Sequence, residues 1–327
     1  MKTIATALFA VMAFAAAAAA GGYFAVDRAM KRPGPSAEDR IVLLEPGASA
    51  SGIAAELEKE GFIRSALVFK IAVRLRGADQ RVRAGEFEIP AAASVDEIVR
   101  ILVDGQPVLH FVTVPEGMTT ASALKLIAAD DTLVGDITIV PGEGALLPET
   151  YGHARGEKRD ELIRRMMNAQ NEALDRLWRD RADDLPFDTP GEAIILASIV
   201  EKETGVASER DKVAAVFVNR LRRGMRLESD PTIIYGLTKG EPLGRGLRQS
   251  ELRSDTPYNT YRIRGLPPTP IANPGLAAIK ATLNPADVDY LYFVADGEGG
   301  HAFAETYAEH QENVARWRAI ERERRAG

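Results

Sequence analysis

PGEAIILASIVEKET, Pro190–Thr204, running on through GVASERDKVAAVFVNRL to Leu221, is the stretch on which the reading of this chain turns. Pro190 and Glu192 open a helix and Gly205 closes it. Glu203 falls three and four residues after Val200 and Ile199, and seven and eight after Leu196 and Ile195, so helical phase puts it on the apolar stripe. Glu201 follows Ala197 and Ser198 and points elsewhere. A carboxyl on an apolar face is disfavoured as an anion, and the raised pKa that follows is what a general acid needs at neutral pH. Spacing leaves a plainer alternative open: Glu203 frays outward at the helix end or pairs with Arg210. A second helix, 208–223, starts with Ser208 and Asp211 at capping-box spacing, buries Val213, Val216, Phe217 and Leu221, and stops at Gly224.

Working upstream, Ile41–Leu44 reads as a short strand, Glu45-Pro46-Gly47 as a turn, and 49–61 as a helix ended by Gly61. A helix over 65–75 and a strand over 84–89 complete a β-α-α-β unit. Ser94 and Glu97 then form a capping box for a helix stopped by Gly105, and Val108–Val114 follows as a strand. The strand, Pro/Gly/Glu turn and capped helix around LLEPGAS recur around TVPEGMTTAS, one local solution used twice. TIVPGEGALLPETY, Thr138–Tyr151, reads as an apolar loop ahead of a charged helix over 158–183.

Downstream, 227–275 is rich in turns and polar aromatics, the kind of rigid irregular segment where sites gather. Tyr258, Asn259 and Tyr261 offer flat apolar surface and amide hydrogen bonds suited to sugar rings and N-acetyl groups, although aromatic side chains in loops more often serve packing. Asp230, before Pro231, is a turn residue in the simplest reading and the candidate second carboxylate for a two-acid hydrolase in the other. Residues 289–295 and 301–307 flank a Gly-rich turn as a β-hairpin, and a charged helix over 309–324 ends the chain.

Composition narrows the chemistry. In 327 residues, 41 Lys and Arg against 47 Asp and Glu give a net charge of −6, so there is no basic footprint for nucleic acid. Cysteine is absent, which excludes thiol nucleophiles and Cys-built metal sites, and the four histidines form no ligand pair. Neither a metal nor a cofactor is expected. Thr3–Val26 carries no charge over 24 residues, long enough to cross a hydrocarbon core of about 30 Å. It reads as an anchor over 1–26, with a cleaved signal peptide as the alternative, given the small residues of Ala15–Ala20. The Pro/Gly-containing stretch to Arg40 reads as a spacer, linker 27–40, with the large C-terminal part outside the cytoplasm.

The run Ala197–Leu221, with GMRLESDPTIIYGL, TPYNTYRIRGLPPTPIANPG and DYLYFVADGEGGHAF, resembles the endolytic murein transglycosylases of the YceG-like family. The resemblance extends upstream through VPEGMT, Val114–Thr119, and EGALLPETY, Glu143–Tyr151. The chain departs from the family pattern at Ala145, Leu146 and Leu147, where larger or aromatic side chains are usual, and at Glu228, where Gln is usual.

The resemblance implies an α+β protein. It would be a single-pass inner-membrane protein with a periplasmic LysM-like β-α-α-β subdomain, 41–113, and a mixed α/β transglycosylase domain, 114–327. It implies cleavage within glycan strands between N-acetylmuramic acid and N-acetylglucosamine, with 1,6-anhydro ends, and a place beside peptidoglycan synthases in ending strand elongation. The family's catalytic Glu falls on Glu203, the position helical phase selects. Tyr258, Asn259, Tyr261, Asp230 and Glu149 are then the expected substrate-binding residues. A two-carboxylate muramidase and a non-catalytic peptidoglycan-binding scaffold are the competing readings.

Overall fold

Residues 2–45, 47–78 and 81–326 are described by the computed structural model of the chain, which folds as two compact units. One comprises 1–110 with 152–157, the other 111–151 with 158–327.

The first unit holds α1 (Lys2–Lys31), β1 (Arg40–Leu44), α2 (Ala50–Lys59), α3 (Ala66–Leu75), β2 (Gly85–Ile89) and α4 (Val95–Asp104). Alternation in β1 and β2 makes one buried face. The strands pair antiparallel with Val42 opposite Phe87 and Leu44 opposite Gly85, and Val42, Leu44, Phe87 and Ile89 all point into the core. Phe62, Phe69, Ile98 and Leu102 fill the space beneath. The expected β-α-α-β order is present, and so is the Ser94–Glu97 capping box. Gly61 ends the α2 hairpin at φ +75°, while Pro46 of the preceding turn lies outside the described residues.

One expectation changes here. The stretch taken as a free spacer is docked: Gly34 N–H donates to Ala92 O (2.9 Å), Ala92 N–H to Ser36 O (2.8 Å) and Ala91 N–H to Asp39 Oδ1 (2.7 Å). A Cβ on Gly34 would stand 2.3 Å from Ala93 O, so only glycine permits that approach. As to the anchor, among the described residues no helix is long and apolar enough to cross a membrane. The expectation of an anchor over 1–26 rests on its uncharged sequence, of which the side chains of residues 2–11 are not described.

The second unit is mostly helical. β3 (Leu109–Thr113) enters it, and α5 (Thr120–Ala129), β4 (Thr150–Ala154), α6 (Arg159–Arg179), α7 (Pro190–Glu203) and α8 (Arg210–Arg222) follow. After these come α9 (Asp230–Thr238), α10 (Gln249–Arg253), α11 (Leu276–Leu283), the β5–β6 hairpin (Tyr292–Ala295 and His301–Ala304) and α12 (Tyr307–Ala326). β4 begins in the last two residues of the stretch expected as an apolar loop, Thr150 and Tyr151, and was not expected, because its partner β3 lies far away in sequence and no local pattern announces the pairing. The Ser208–Asp211 capping box does not form. Residues Ala207–Glu209 make a single 3₁₀ turn, and α8 starts at Arg210, two residues later than expected and without a side-chain cap.

α7 is the centre of this unit. Thr189 and Glu192 close a capping box around its Pro-initiated start, and Ala193, Ile194, Leu196, Ala197, Ser198, Ile199 and Val200 are all buried. Such an all-round apolar helix must be enclosed. α8 and α11 enclose it, with Phe217, Ile279 and Leu283 in the same core. A second core gathers Val112, Ile127, Leu146, Leu162, Ile163 and Met166.

In the first unit, Phe87 is fully buried, so Phe87→Ala is expected to cost about 3–5 kcal/mol of that unit's stability, read from the midpoint of urea unfolding.

Candidate active site

Glu203 is the last residue of α7, partly buried, with its carboxyl withdrawn from water. Its partner is Ser229, whose hydroxyl donates to Glu203 Oε1 at 2.5 Å. It does not pair with Arg210. Burial pushes the Glu203 carboxyl above the usual range. The Ser229 hydrogen bond opposes that rise, the Asp230 charge adds to it, and His301 and Arg220 oppose it more weakly.

Glu201 differs from its expected place. This carboxyl is also partly buried, where α7 packs on α11, and it accepts from Gly275 N–H at the start of α11 (3.0 Å). Burial raises it too, with Glu116 adding to the rise. Its hydrogen bond ties the end of α7 to α11. Lys202 reaches the other way, donating to Gly117 O (3.3 Å) of the VPEGMT turn.

Asp230 is a helix residue, the first of α9, not a turn residue. The signal was in the sequence: Ser-Asp-Pro is a helix start with Pro in the first turn. Tyr261 O–H donates to Asp230 Oδ1 (2.8 Å), and burial, followed by that contact, pushes the Tyr261 phenol well up. Glu203, Ser229, Asp230 and Tyr261 therefore form one group. Arg220 lies behind it, buried, donating to Leu291 O and Leu227 O (both 2.7 Å) and facing the Glu228 carboxylate at 3.5 Å. From the β5–β6 hairpin, His301 Nδ1 donates to Glu209 Oε2 (2.8 Å) and His301 N–H to Glu209 Oε1 (3.0 Å).

The other expected binding residues fall elsewhere. Asn259 is fully buried and spends its amide hydrogens on the carbonyls of Glu251, Leu252 and Ser254, while its Oδ1 accepts from Tyr261 N–H (3.1 Å). It shapes the loop that carries Tyr261 and has no free amide for a sugar. Tyr258 packs edge-on against Tyr235, its ring covered by Lys239 at 4.6 Å and its hydroxyl bonded to Thr269 (2.8 Å). Glu149 is exposed beside the start of β4, and none of its described contacts reaches Glu203. Among the described residues no group of three or more His, Asp or Glu could hold a metal ion.

Sequence reasoning missed Ser229, Arg220, His301 and Asn273. The first three join Glu203 from separate elements, and no spacing predicts that. Asn273 is fully buried and binds three loops: its Oδ1 accepts from Leu146 N–H (3.0 Å), and its Nδ2 donates to Met118 O (3.0 Å) and Thr120 Oγ1 (3.1 Å). Glu143 adds a further tie, accepting from Thr120 N–H (2.7 Å) and Tyr235 O–H (3.2 Å). The VPEGMT, EGALLP and IANPG segments thus form one hydrogen-bonded cradle next to the end of α7.

Comparison with known proteins gives consistent results. The model of the YceG-like family matches residues 42–316. The chain is 29% identical over 296 residues to the endolytic murein transglycosylase of Bacillus subtilis, covering 81% of each protein. It is also 29% identical over 357 residues to that of Streptococcus pneumoniae, where the match spans 93% of this chain and 64% of the pneumococcal protein. A crystal structure of a YceG-like protein from Listeria monocytogenes superposes with a TM-score of 0.54 at 29% identity, covering 84% of this chain and 98% of that one.

Removing the Asn273 amide leaves Leu146 N–H without a partner, while Met118 O keeps the Asn273 backbone N–H (2.9 Å). Asn273→Ala is therefore expected to destabilise the second unit by about 1–3 kcal/mol, measured by thermal or urea unfolding.

Proposed function

The chain belongs to the YceG-like family, and from that premise we propose that it is a lytic transglycosylase of peptidoglycan in which Glu203 is both acid and base. The observation that carries this reading is the desolvated Glu203 carboxyl, raised by burial and held by Ser229 at the end of the enclosed α7. Relatives named endolytic murein transglycosylase align over most of the chain.

The chemistry needs one proton carrier. Protonated Glu203 gives its proton to the glycosidic oxygen between N-acetylmuramic acid and N-acetylglucosamine, and the bond from that oxygen to the muramoyl C1 breaks. The muramoyl 6-hydroxyl closes on the electron-poor C1, and its proton passes to the Glu203 carboxylate. Protons balance, no water is consumed, and the product carries a 1,6-anhydro end. The nucleophile belongs to the substrate, so its attack is intramolecular and gains the corresponding effective molarity. Asp230, held by Tyr261, puts a negative charge beside the reacting carboxyl, where positive charge develops on the sugar.

The finer parts of the reading have narrower support. A substrate in the cell wall puts the enzyme outside the cytoplasm. We read the 24 uncharged residues Thr3–Val26 as its membrane tether, on sequence grounds alone. The β1-α2-α3-β2 arrangement supports a LysM-like role for the first unit, and internal cleavage beside peptidoglycan synthases would limit strand length.

The test is mass spectrometry of glycan strands digested by the full chain and by Glu203→Gln. Wild type is expected to generate new anhydromuramic ends, and the variant to lose at least about a hundredfold in rate while keeping its fold. Reducing ends from wild type would instead assign Asp230 as the second carboxylate of a hydrolase. No cleavage by folded wild type would leave the scaffold reading.

A further inference from the structure

We propose that Ser229 is the positioning residue of the acid/base: its hydroxyl occupies Glu203 Oε1 and so assigns the transferable proton to Oε2. The inference rests on the reading of Glu203 as the proton carrier. It concerns which oxygen acts and what holds it there.

The geometry around Ser229 is built for one contact. Its backbone is fully engaged: Ser229 N–H donates to Thr260 Oγ1 (2.9 Å), and Ser229 O accepts from Thr232 Oγ1 (2.7 Å) and Thr260 Oγ1 (3.3 Å). Ser229, Thr232 and Thr260 are all buried, and the two threonine hydroxyls lie 2.9 Å apart. The residue before, Glu228, sits at φ +53°, a left-handed conformation that a glutamate rarely adopts, with its N–H on Thr260 O (3.2 Å). Strain of this kind persists where the surroundings over-determine it. Here it turns the chain so that Ser229 faces α7, and the side-chain hydroxyl is left with a single described acceptor, Glu203 Oε1.

A hydroxyl that donates to one carboxyl oxygen disfavours a proton on that same oxygen. Protonated Glu203 therefore carries its hydrogen on Oε2, which has no described partner and is free to address the glycosidic oxygen. After transfer, the Ser229 bond becomes charge-assisted and stabilises the carboxylate that must next act as base. Each group facing Glu203 comes from a different element: Asp230 from α9, Arg220 from α8, His301 from β6 and Tyr261 from the loop after α10. Among these, only the neutral Ser229 is hydrogen-bonded to Glu203, so its loss changes the carboxyl's proton affinity without removing a charge.

The experiment follows the rate of anhydro-end formation by the full chain against pH. Wild-type turnover should fall on the alkaline side as Glu203 loses its proton. In Ser229→Ala, kcat should drop about tenfold to a hundredfold with KM little changed, and the alkaline limb should move to higher pH, because the hydrogen bond favouring the carboxylate is gone. Ser229→Thr, which keeps a hydroxyl, should retain the wild-type limb. Should the alanine variant melt far below wild type, Ser229→Cys, a near-isostere with a weak donor, is read for the same shift. A folded Ala or Cys variant whose limb stays at the wild-type pH would overturn the proposal even if it were slow, since a merely structural serine alters rate and not that limb. Reducing ends from wild type would overturn the acid/base reading itself, and this inference with it.

Discussion

Enclosure of α7 is the constraint from which the site follows. A helix that is apolar on all faces has to be surrounded, and its C-terminal turn carries two carboxylates into that surrounding. Neither can face bulk water without unpacking the helix end, so each is met by a hydrogen-bond donor: Ser229 for Glu203, Gly275 N–H for Glu201. The two outcomes differ in kind. Glu201 receives a backbone N–H that fixes one helix to another, whereas Glu203 receives a side-chain hydroxyl on Oε1 and its Oε2 has no described partner.

The elements around α7 act as a mould for that difference. Buried Arg220 is spent on the carbonyls of Leu227 and Leu291, which ties the approach to α9 and the approach to the β5–β6 hairpin to α8. Asn259 and Asn273 do the same elsewhere: Asn259 ties its loop to the end of α10, and Asn273 binds backbone groups of two segments that have no regular structure. Buried side-chain amides are costly unless satisfied, and satisfied ones fix irregular backbone as firmly as a strand would. The turn-rich segment 227–275 is therefore rigid for a stated reason. Arg245 and Arg248 N–H strengthen it at the surface, where they hold the Glu251 carboxyl down to about 2.

Much of this protein was legible from local pattern. A short apolar run marked β1, alternation marked β2 and a Gly-rich turn marked the β5–β6 hairpin, Ser94–Glu97 and Pro190–Glu192 marked helix starts, and Gly61 and Gly224 marked ends, because each rests on backbone chemistry confined to a few residues. Helical phase singled out Glu203 on the same footing. It also put Glu201 elsewhere, without the start of α11 that covers it, because that packing comes from a distant part of the chain. α9 and α11 were passed over inside or beside a turn-rich region, although Ser229-Asp230-Pro231 carried a helix-start signal.

What the sequence by itself determined is much of the set of elements, the polarity of their faces, the absence of thiol chemistry and the placing of Glu203 on an apolar stripe. What only the tertiary structure decided is the company that carboxylate keeps. Ser229 is 26 residues from Glu203 with Asp230 next to it, and Arg220, Tyr261 and His301 arrive from three further places in the chain. The same holds for Asn259, whose residue type suits a sugar amide and whose environment turns it to the backbone. A side chain's chemistry is local, but its desolvation, its donors and the charges around it are summed over neighbours brought together by folding, and that sum has no image in sequence spacing.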